Sequence, residues 1–207
     1  MIPNLFSNIF IYDEKLLNHT ECDSIIELAN SIGLTQSTVT SNDGYTNKVL
    51  SSHRTNYNLN LPYGKYDIID DVYRHIAKII SLPVENIEME INRYSDGQYF
   101  MAHYDYLTSE WIVDTGGQRL YSCVVYLNDD FEGGETHFAN LGKTIKPIKG
   151  NAVLWKNCLY DSDQLDLTSL HESLPIISGT KWALIVWVRE NAFKSKHYET
   201  SSNHQLK

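Results

Sequence analysis

His103 and Asp105 stand two residues apart in the stretch FMAHYDYL, residues 100–107. In an extended chain successive side chains alternate between faces, so these two would project from the same side. An imidazole and a carboxylate in one pocket can each give a ligand to a divalent metal. A second imidazole from elsewhere would complete a set of two histidines and one carboxylate on one side of the ion, leaving the other positions open, an arrangement suited to iron redox chemistry. Of the remaining histidines, His19 and His75 fall in helix-like stretches, His53 in a polar loop, and His197 and His204 in the tail. His137 in GGETHF and His171 in SLHESLP are the two candidates for the third ligand. His171 is preferred, because Lys181 follows it by ten residues at the head of the apolar run KWALIVW. An unpaired ammonium there would be costly, whereas one that meets the far carboxylate of a bound dicarboxylate would be matched.

These side chains need a frame. From about residue 87 the chain reads as strands: IEMEINRY alternates apolar and polar residues, RLYSCVVYLN does so in part, and AVLWKN and KWALIVWVRE are rich in β-branched and aromatic residues. Turn signals separate them at Asp96-Gly97, Gly116-Gly117, Gly133-Gly134, Lys149-Gly150 and Ser178-Gly179. Short strands with such punctuation predict a sandwich or barrel. The first third reads as helical. Cys22, Ile25, Ile26, Ala29 and Ile32 recur at helical spacing after a Thr20 cap, with Gly33 as the stop, and Ile69, Val72, Tyr73, Ile76 and Ile80 form a second stripe within 65–81. The expected architecture is a β-barrel packed against N-terminal helices. It forms one domain over 1–207, with helical support over 1–86, a barrel core over 87–190 and a polar tail over 191–207. Two polar, turn-rich segments, 38–57 and 106–118, are long for passive connectors and are expected to shape a substrate groove, with Trp111 in the second as part of a flap; the alternative for the second is a plain long hairpin loop.

The bulk properties narrow the function classes. A formal net charge of −9 over 207 residues argues against a nucleic-acid binder that tracks phosphates. Lys143, Lys146, Lys149 and Lys156 make a mildly basic region that reads as ordinary solvated surface. Cys22, Cys123 and Cys158 are odd in number and widely spaced, which predicts no disulfide framework and a reducing compartment. No segment approaches the ~20 apolar residues of a membrane span, and no signal-peptide pattern opens the chain. The expectation is a soluble cytoplasmic protein without membrane association.

The segments NRYSDGQYFMAHYD, YLNDDFEGGETHF, IKPIKGNAVLW and SLHESLPIISGTKWALIVWVRE occur in an order that resembles the 2-oxoglutarate- and Fe(II)-dependent dioxygenases, in their prolyl 4-hydroxylase-like branch. The resemblance spans about 87–190 and continues more faintly through the N-terminal helices. It implies a double-stranded β-helix, a jelly-roll barrel with the metal in its mouth. It implies that His103, Asp105 and His171 bind iron and that Lys181 holds the distal carboxylate of 2-oxoglutarate. By the same resemblance Tyr94 hydrogen-bonds the cosubstrate, Tyr126, Thr136 and Trp187 line its pocket, and Arg54 lies near the substrate. The alternatives for Tyr126 and Trp187 are core aromatics, and for Thr136 a surface strand position. Gly133-Gly134 would permit a tight bend, with Glu135 holding the turn.

The implied reaction consumes 2-oxoglutarate and dioxygen, releases succinate and carbon dioxide, and hydroxylates an unactivated C–H bond, with ascorbate as a possible auxiliary reductant. The implied partner is a proline-containing peptide or protein. Other readings keep the chemistry but change the substrate to another side chain, a free amino acid or an alkylated nucleobase. Nucleobase relatives anchor the cosubstrate through arginine; Lys181 stands in that place here, and Arg189 near the end of the same strand leaves a small opening for that reading. A jelly-roll that binds a partner without turnover is the non-enzymatic alternative.

Overall fold

The computed structural model describes residues 9–12, 15–40, 48–108, 115–160 and 162–194. The first part of the chain supplies β1 (Ile9–Tyr12), α1 (His19–Ile32), β2 (Thr35–Gln36), β3 (Val39–Thr40), β4 (Lys48–Val49), β5 (Tyr57–Asn60) and α2 (Asp67–Ile80). The rest is strand-rich: β6 (Ile87–Tyr94), β7 (Phe100–His103), β8 (Arg119–Tyr126), β9 (Glu132–Gly133), β10 (Thr136–Phe138), β11 (Lys143–Ile145), β12 (Ala152–Lys156), β13 (His171–Ser173), β14 (Ile176–Ser178) and β15 (Lys181–Arg189).

A seven-stranded antiparallel sheet runs β1-β12-β8-β15-β6-β5-β2, and a four-stranded sheet runs β11-β10-β13-β7. The two face each other as a jelly-roll barrel, with the short β9–β14 ladder beside them. The pleat sends alternate residues of each long strand to opposite sides. Ile87, Met89 and Ile91 of β6, Cys123 and Val125 of β8, and Leu184, Val186 and Val188 of β15 meet Ile25, Ala29, Ile69, Val72 and Ile76 of the helices in one core. Val124, Tyr126, Phe138, Val153, Trp155 and Ala183 form a second core between the sheets.

The helices start and stop for local reasons. The cap of α1 is Asn18, not Thr20. Asn18 Oδ1 accepts the Glu21 N–H at 3.0 Å while the Asn18 N–H donates to the Glu21 carboxylate at 2.7 Å, a reciprocal capping box. Gly33, at φ 92°, closes the helix by donating to the Ala29 carbonyl. Ile32, expected in the buried stripe, lies at the last turn and is exposed. The second helix keeps its predicted face, with Ile69, Val72, Tyr73 and Ile76 buried.

The expectation that 1–86 is mostly helical needs correction, because this region also contributes five strands. Three of them, β1, β2 and β5, belong to the main sheet. β5 exists because β6 offers it a partner, with Leu59 opposite Ile91 and Asn60 opposite Glu90. Nothing within YNLN signals that pairing. Ile91, fully buried on a central strand under the helices, measures the main core. Ile91→Ala is expected to cost about 2–5 kcal/mol of stability, read as a lowered urea midpoint at unchanged m-value.

Candidate active site

β7 and β13 are neighbours in the four-stranded sheet, and their register sets His171 directly opposite His103. Asp105 follows β7 by two residues. Its carboxylate lies 3.7 Å from His103 Nε2 through Oδ1 and 3.5 Å from His171 Nε2 through Oδ2. One ligand atom from each of the three residues lies within 4.8 Å of the others, the only such group of His, Cys, Asp and Glu among the described residues. The other ring nitrogens are held by the backbone: His103 Nδ1 bonds the Met101 carbonyl at 2.8 Å and His171 Nδ1 the Ser169 carbonyl at 2.9 Å. A carbonyl only accepts, so each Nδ1 carries the proton and each Nε2 presents its lone pair to the centre.

Electrostatics favour that state. Burial, and then the neighbouring His171, push the His103 imidazole well below its usual range and keep it neutral. Burial would raise Asp105. The imidazoles in their protonated form at low pH, and at every pH Arg119 and the Ser122 hydroxyl, act against it and hold the carboxylate below its usual range, so it is ionised. Ser122 donates to Asp105 Oδ2 at 2.7 Å and accepts from Asn157 Nδ2 at 2.8 Å, a two-step brace from β8 and the end of β12. Phe100 stacks on the His103 ring at 3.7 Å, and Trp155 lies 4.6 Å from the His171 ring.

The three ligands open into a cleft that Tyr94, Thr136, Ile185 and Trp187 also line. At its far end Lys181 is 2% exposed. Its Nζ donates to the Gly134 carbonyl at 2.6 Å and to Ser173 Oγ at 3.0 Å, and it lies within 4 Å of no carboxylate among the described residues. Burial brings this ammonium down to about 7, with Glu135 opposing from a distance. Such a cation calls for an anion delivered from solution. Tyr94 is opposite Lys181 in the β6–β15 register and lines the cleft; burial pushes its phenol up to about 12, so it remains a hydrogen-bond donor. Thr136 and Trp187 line the cleft too. Tyr126 is set one layer back, where its hydroxyl bonds Thr136 Oγ1 at 2.7 Å and supports the wall. The Gly133-Gly134 bend makes this corner possible. Both residues have positive φ, and a Cβ on Gly133 would sit 2.3 Å from the Pro175 carbonyl oxygen. Glu135 contributes to the turn through its backbone carbonyl, which accepts the Leu174 N–H.

Arg54 reaches the cleft from the 38–57 segment, where it ion-pairs with Glu90, bonds Asn56 and Asn92, and covers Phe100. His137, the rival ligand, faces away from the triad, with Nδ1 2.9 Å from Thr144 Oγ1. Arg189 does not line the cleft. It is buried against Glu88, Thr115 and the Gly117 carbonyl, which removes the opening for an arginine anchor. Trp111 and residues 109–114 lie outside the described residues, as do 41–47 and the tail from 195. The base of the 106–118 loop is described: the Gln118 amide clamps both the N–H and the carbonyl of Leu107. Sequence reasoning missed Ser122, Asn157, Glu88 and Arg119. Nothing local marks them: Ser122 stands between Tyr121 and Cys123 as an ordinary strand residue.

The donor set fits iron, and the buried cation facing the same cleft fits a dicarboxylate. The 2OG-Fe(II) oxygenase superfamily model matches residues 89–189, the span that carries all these groups. The chain belongs to this superfamily, and within it to the prolyl 4-hydroxylase-like members. It is 32% identical over 206 residues to prolyl 4-hydroxylase 2 of Arabidopsis thaliana, covering 89% of this chain and 68% of that one. Prolyl 4-hydroxylase 5 of the same plant is 30% identical over 200 residues, covering 87% and 68%. The chain spans 50% to 74% of the length of the Arabidopsis relatives it matches. Among solved structures, the viral collagen prolyl hydroxylase of Paramecium Bursaria Chlorella virus-1, in its 2OG complex, superposes with a TM-score of 0.71 at 26% identity, covering 88% of this chain and 96% of that one.

Two measurements probe the site. Ser122→Ala removes the brace on Asp105 and is expected to weaken divalent-metal binding by about 10-fold, read by titration of metal-free protein. Lys181 bears on pH. A bound dicarboxylate raises the ammonium's pKa from about 7, so binding takes up a proton once the pH exceeds that value. Affinity for 2-oxoglutarate is expected to be full below pH 7 and to fall by about tenfold per pH unit above it. Calorimetric titration across pH 6–9 would show a flat profile if Lys181 were not the anchor.

Proposed function

We propose that this chain hydroxylates prolyl residues of a peptide or protein substrate, using Fe(II), 2-oxoglutarate and dioxygen. The observation that carries the reading is one cleft holding both an open-sided set of two histidines and a carboxylate and a buried lysine without a carboxylate partner among the described residues. The relatives named as prolyl 4-hydroxylases support the substrate class.

His103 Nε2, His171 Nε2 and the Asp105 carboxylate would hold the metal. Lys181 would hold the distal carboxylate of the cosubstrate, and the Tyr94 hydroxyl would donate to it. When bound, iron with 2-oxoglutarate and dioxygen supplies the oxidising power: one oxygen atom enters the substrate C–H bond and the other enters succinate as carbon dioxide leaves. The protein's remaining work is orientation and exclusion of water. Val124, Ile185, Trp187, Trp155 and Phe100 give the cleft apolar walls, which strengthen the charge pairing inside and shield reactive species from solvent. The Nδ1–carbonyl bonds keep both imidazoles in the metal-binding tautomer throughout. Arg54, over Phe100 at the edge of the cleft, is placed to meet substrate once it enters.

The test is incubation with Fe(II), 2-oxoglutarate, ascorbate and proline-containing peptides, measuring succinate and a gain of one oxygen on proline by mass spectrometry. Both products are expected with the wild type. His171→Ala is expected to lower turnover by at least 100-fold and, because the ring is buried against Trp155 and Phe138, to lower the unfolding midpoint as well, with circular dichroism checking that the variant is folded at the assay temperature. Succinate released only with substrates lacking proline would remove the prolyl assignment and leave the oxygenase chemistry standing.

A further inference from the structure

The Glu88 carboxylate, on the inner face of β6, is shared by two guanidinium groups. Arg189 donates to Oε2 from Nη2 at 2.7 Å and from Nε at 3.1 Å, and Arg119 Nη2 reaches the two oxygens at 3.3 and 3.2 Å. Arg189 cannot leave easily: it is 1% exposed, and its Nη1 donates to Thr115 Oγ1 and the Gly117 carbonyl at 3.1 Å each. Arg119 is held more loosely. It lies over the Trp187 ring at 3.9 Å, and its Nε has no partner among the described residues. Its Nη1 stops 3.8 Å from Asp105 Oδ1, beyond hydrogen-bond distance.

We propose that Glu88 is a positioning residue that holds Arg119 off Asp105 and so reserves that carboxylate for the metal. The proposal rests on the metal-site reading above. The two oxygens of Asp105 differ. Oδ2 is taken up by Ser122 at 2.7 Å, whereas Oδ1, 3.7 Å from His103 Nε2, has no hydrogen bond among the described residues. Arg119 faces Oδ1. An advance of about 1 Å would convert the present spacing into a charge-assisted hydrogen bond. Both oxygens would then be engaged by the protein, and a cation would have to displace a guanidinium to bind. Glu88 prevents this by offering Arg119 a competing carboxylate. Without its charge, Arg119 and Arg189 would face each other unscreened in a buried setting. Arg189 is anchored by three further groups of atoms, counting its stacking over Phe193, so Arg119 is the one that moves. Asp105 is the acceptor within its reach.

The experiment is titration of metal-free protein with Mn(II), followed by the EPR signal of the free ion, on wild type, Glu88→Gln, Arg119→Gln and the double variant. Glu88→Gln is expected to weaken Mn(II) binding by about 10-fold or more, the usual effect of losing an outer partner of a ligand. The double variant is expected to recover most of that loss, because the competitor for Oδ1 is gone. A purely structural role for Glu88 would lower the melting temperature and give no recovery in the double variant. Unchanged Mn(II) affinity in Glu88→Gln, or a double variant as weak as that single one, overturns the proposal. A wild type that takes up no Mn(II) overturns the metal-site reading itself, a result distinct from equal affinities across the four proteins.

Discussion

The barrel is organised around one demand: a carboxylate must stay ionised in a recess and still be free to bind a cation. Burial opposes the first requirement, since a lone buried charge costs several kcal/mol and is normally relieved by protonation. Asp105 meets it through the Ser122 hydroxyl and the guanidinium of Arg119, both of which favour the charged form. The second requirement limits how close these groups come. Among the described residues Ser122 alone comes to full hydrogen-bond distance, while the imidazoles and Arg119 stay at 3.5–3.8 Å. The carboxylate is stabilised yet left unsaturated.

The same logic extends across the inner face of the main sheet. A central strand of a barrel normally turns its apolar residues inward, but β6 does the reverse. Ile87, Met89 and Ile91 pack under the helices, so Glu88, Glu90, Asn92 and Tyr94 look into the barrel. Each inward acid is met by arginine, Glu90 by Arg54 and Glu88 by Arg119 and Arg189. Neighbouring β15 places Lys181 and Arg189 at opposite ends of its own inner face, eight residues apart. Arg189 is consumed by structure. Among the described residues Lys181 has neutral acceptors, and that difference in pairing separates the two cations.

Much of this was legible before any coordinates. The strand content, the turns at paired glycines, the second helix with its buried stripe, and the histidine–aspartate pair could be read from local pattern, because each depends on neighbours within a few residues. Errors arose where the signal was shared or distant. Two polar residues, Asn18 and Thr20, compete to cap α1, and the reciprocal bond to Glu21 decides for Asn18. β5 is invisible in YNLN because its stability comes from β6. Ser122 and Asn157 look like ordinary strand residues until the sheet register stacks them beneath Asp105. The alternation of IEMEINRY was visible, but its direction was not: a period of two says that the faces differ, not which face is outside.

The sequence by itself determined the chemistry on offer: two imidazoles, a carboxylate and a lysine in an order that already resembled a known oxygenase family. Residue types and short spacings are enough for that, since ligand strength and charge belong to the side chains themselves. Only the tertiary structure decided which histidine closes the set, because the register of β13 against β7 brings His171 onto His103 and sends His137 to the other face. It also decided which cation is free and which is spent. Pairing is a property of distance in space, and residues as far apart as Glu88 and Arg189 become partners only when the sheet has formed.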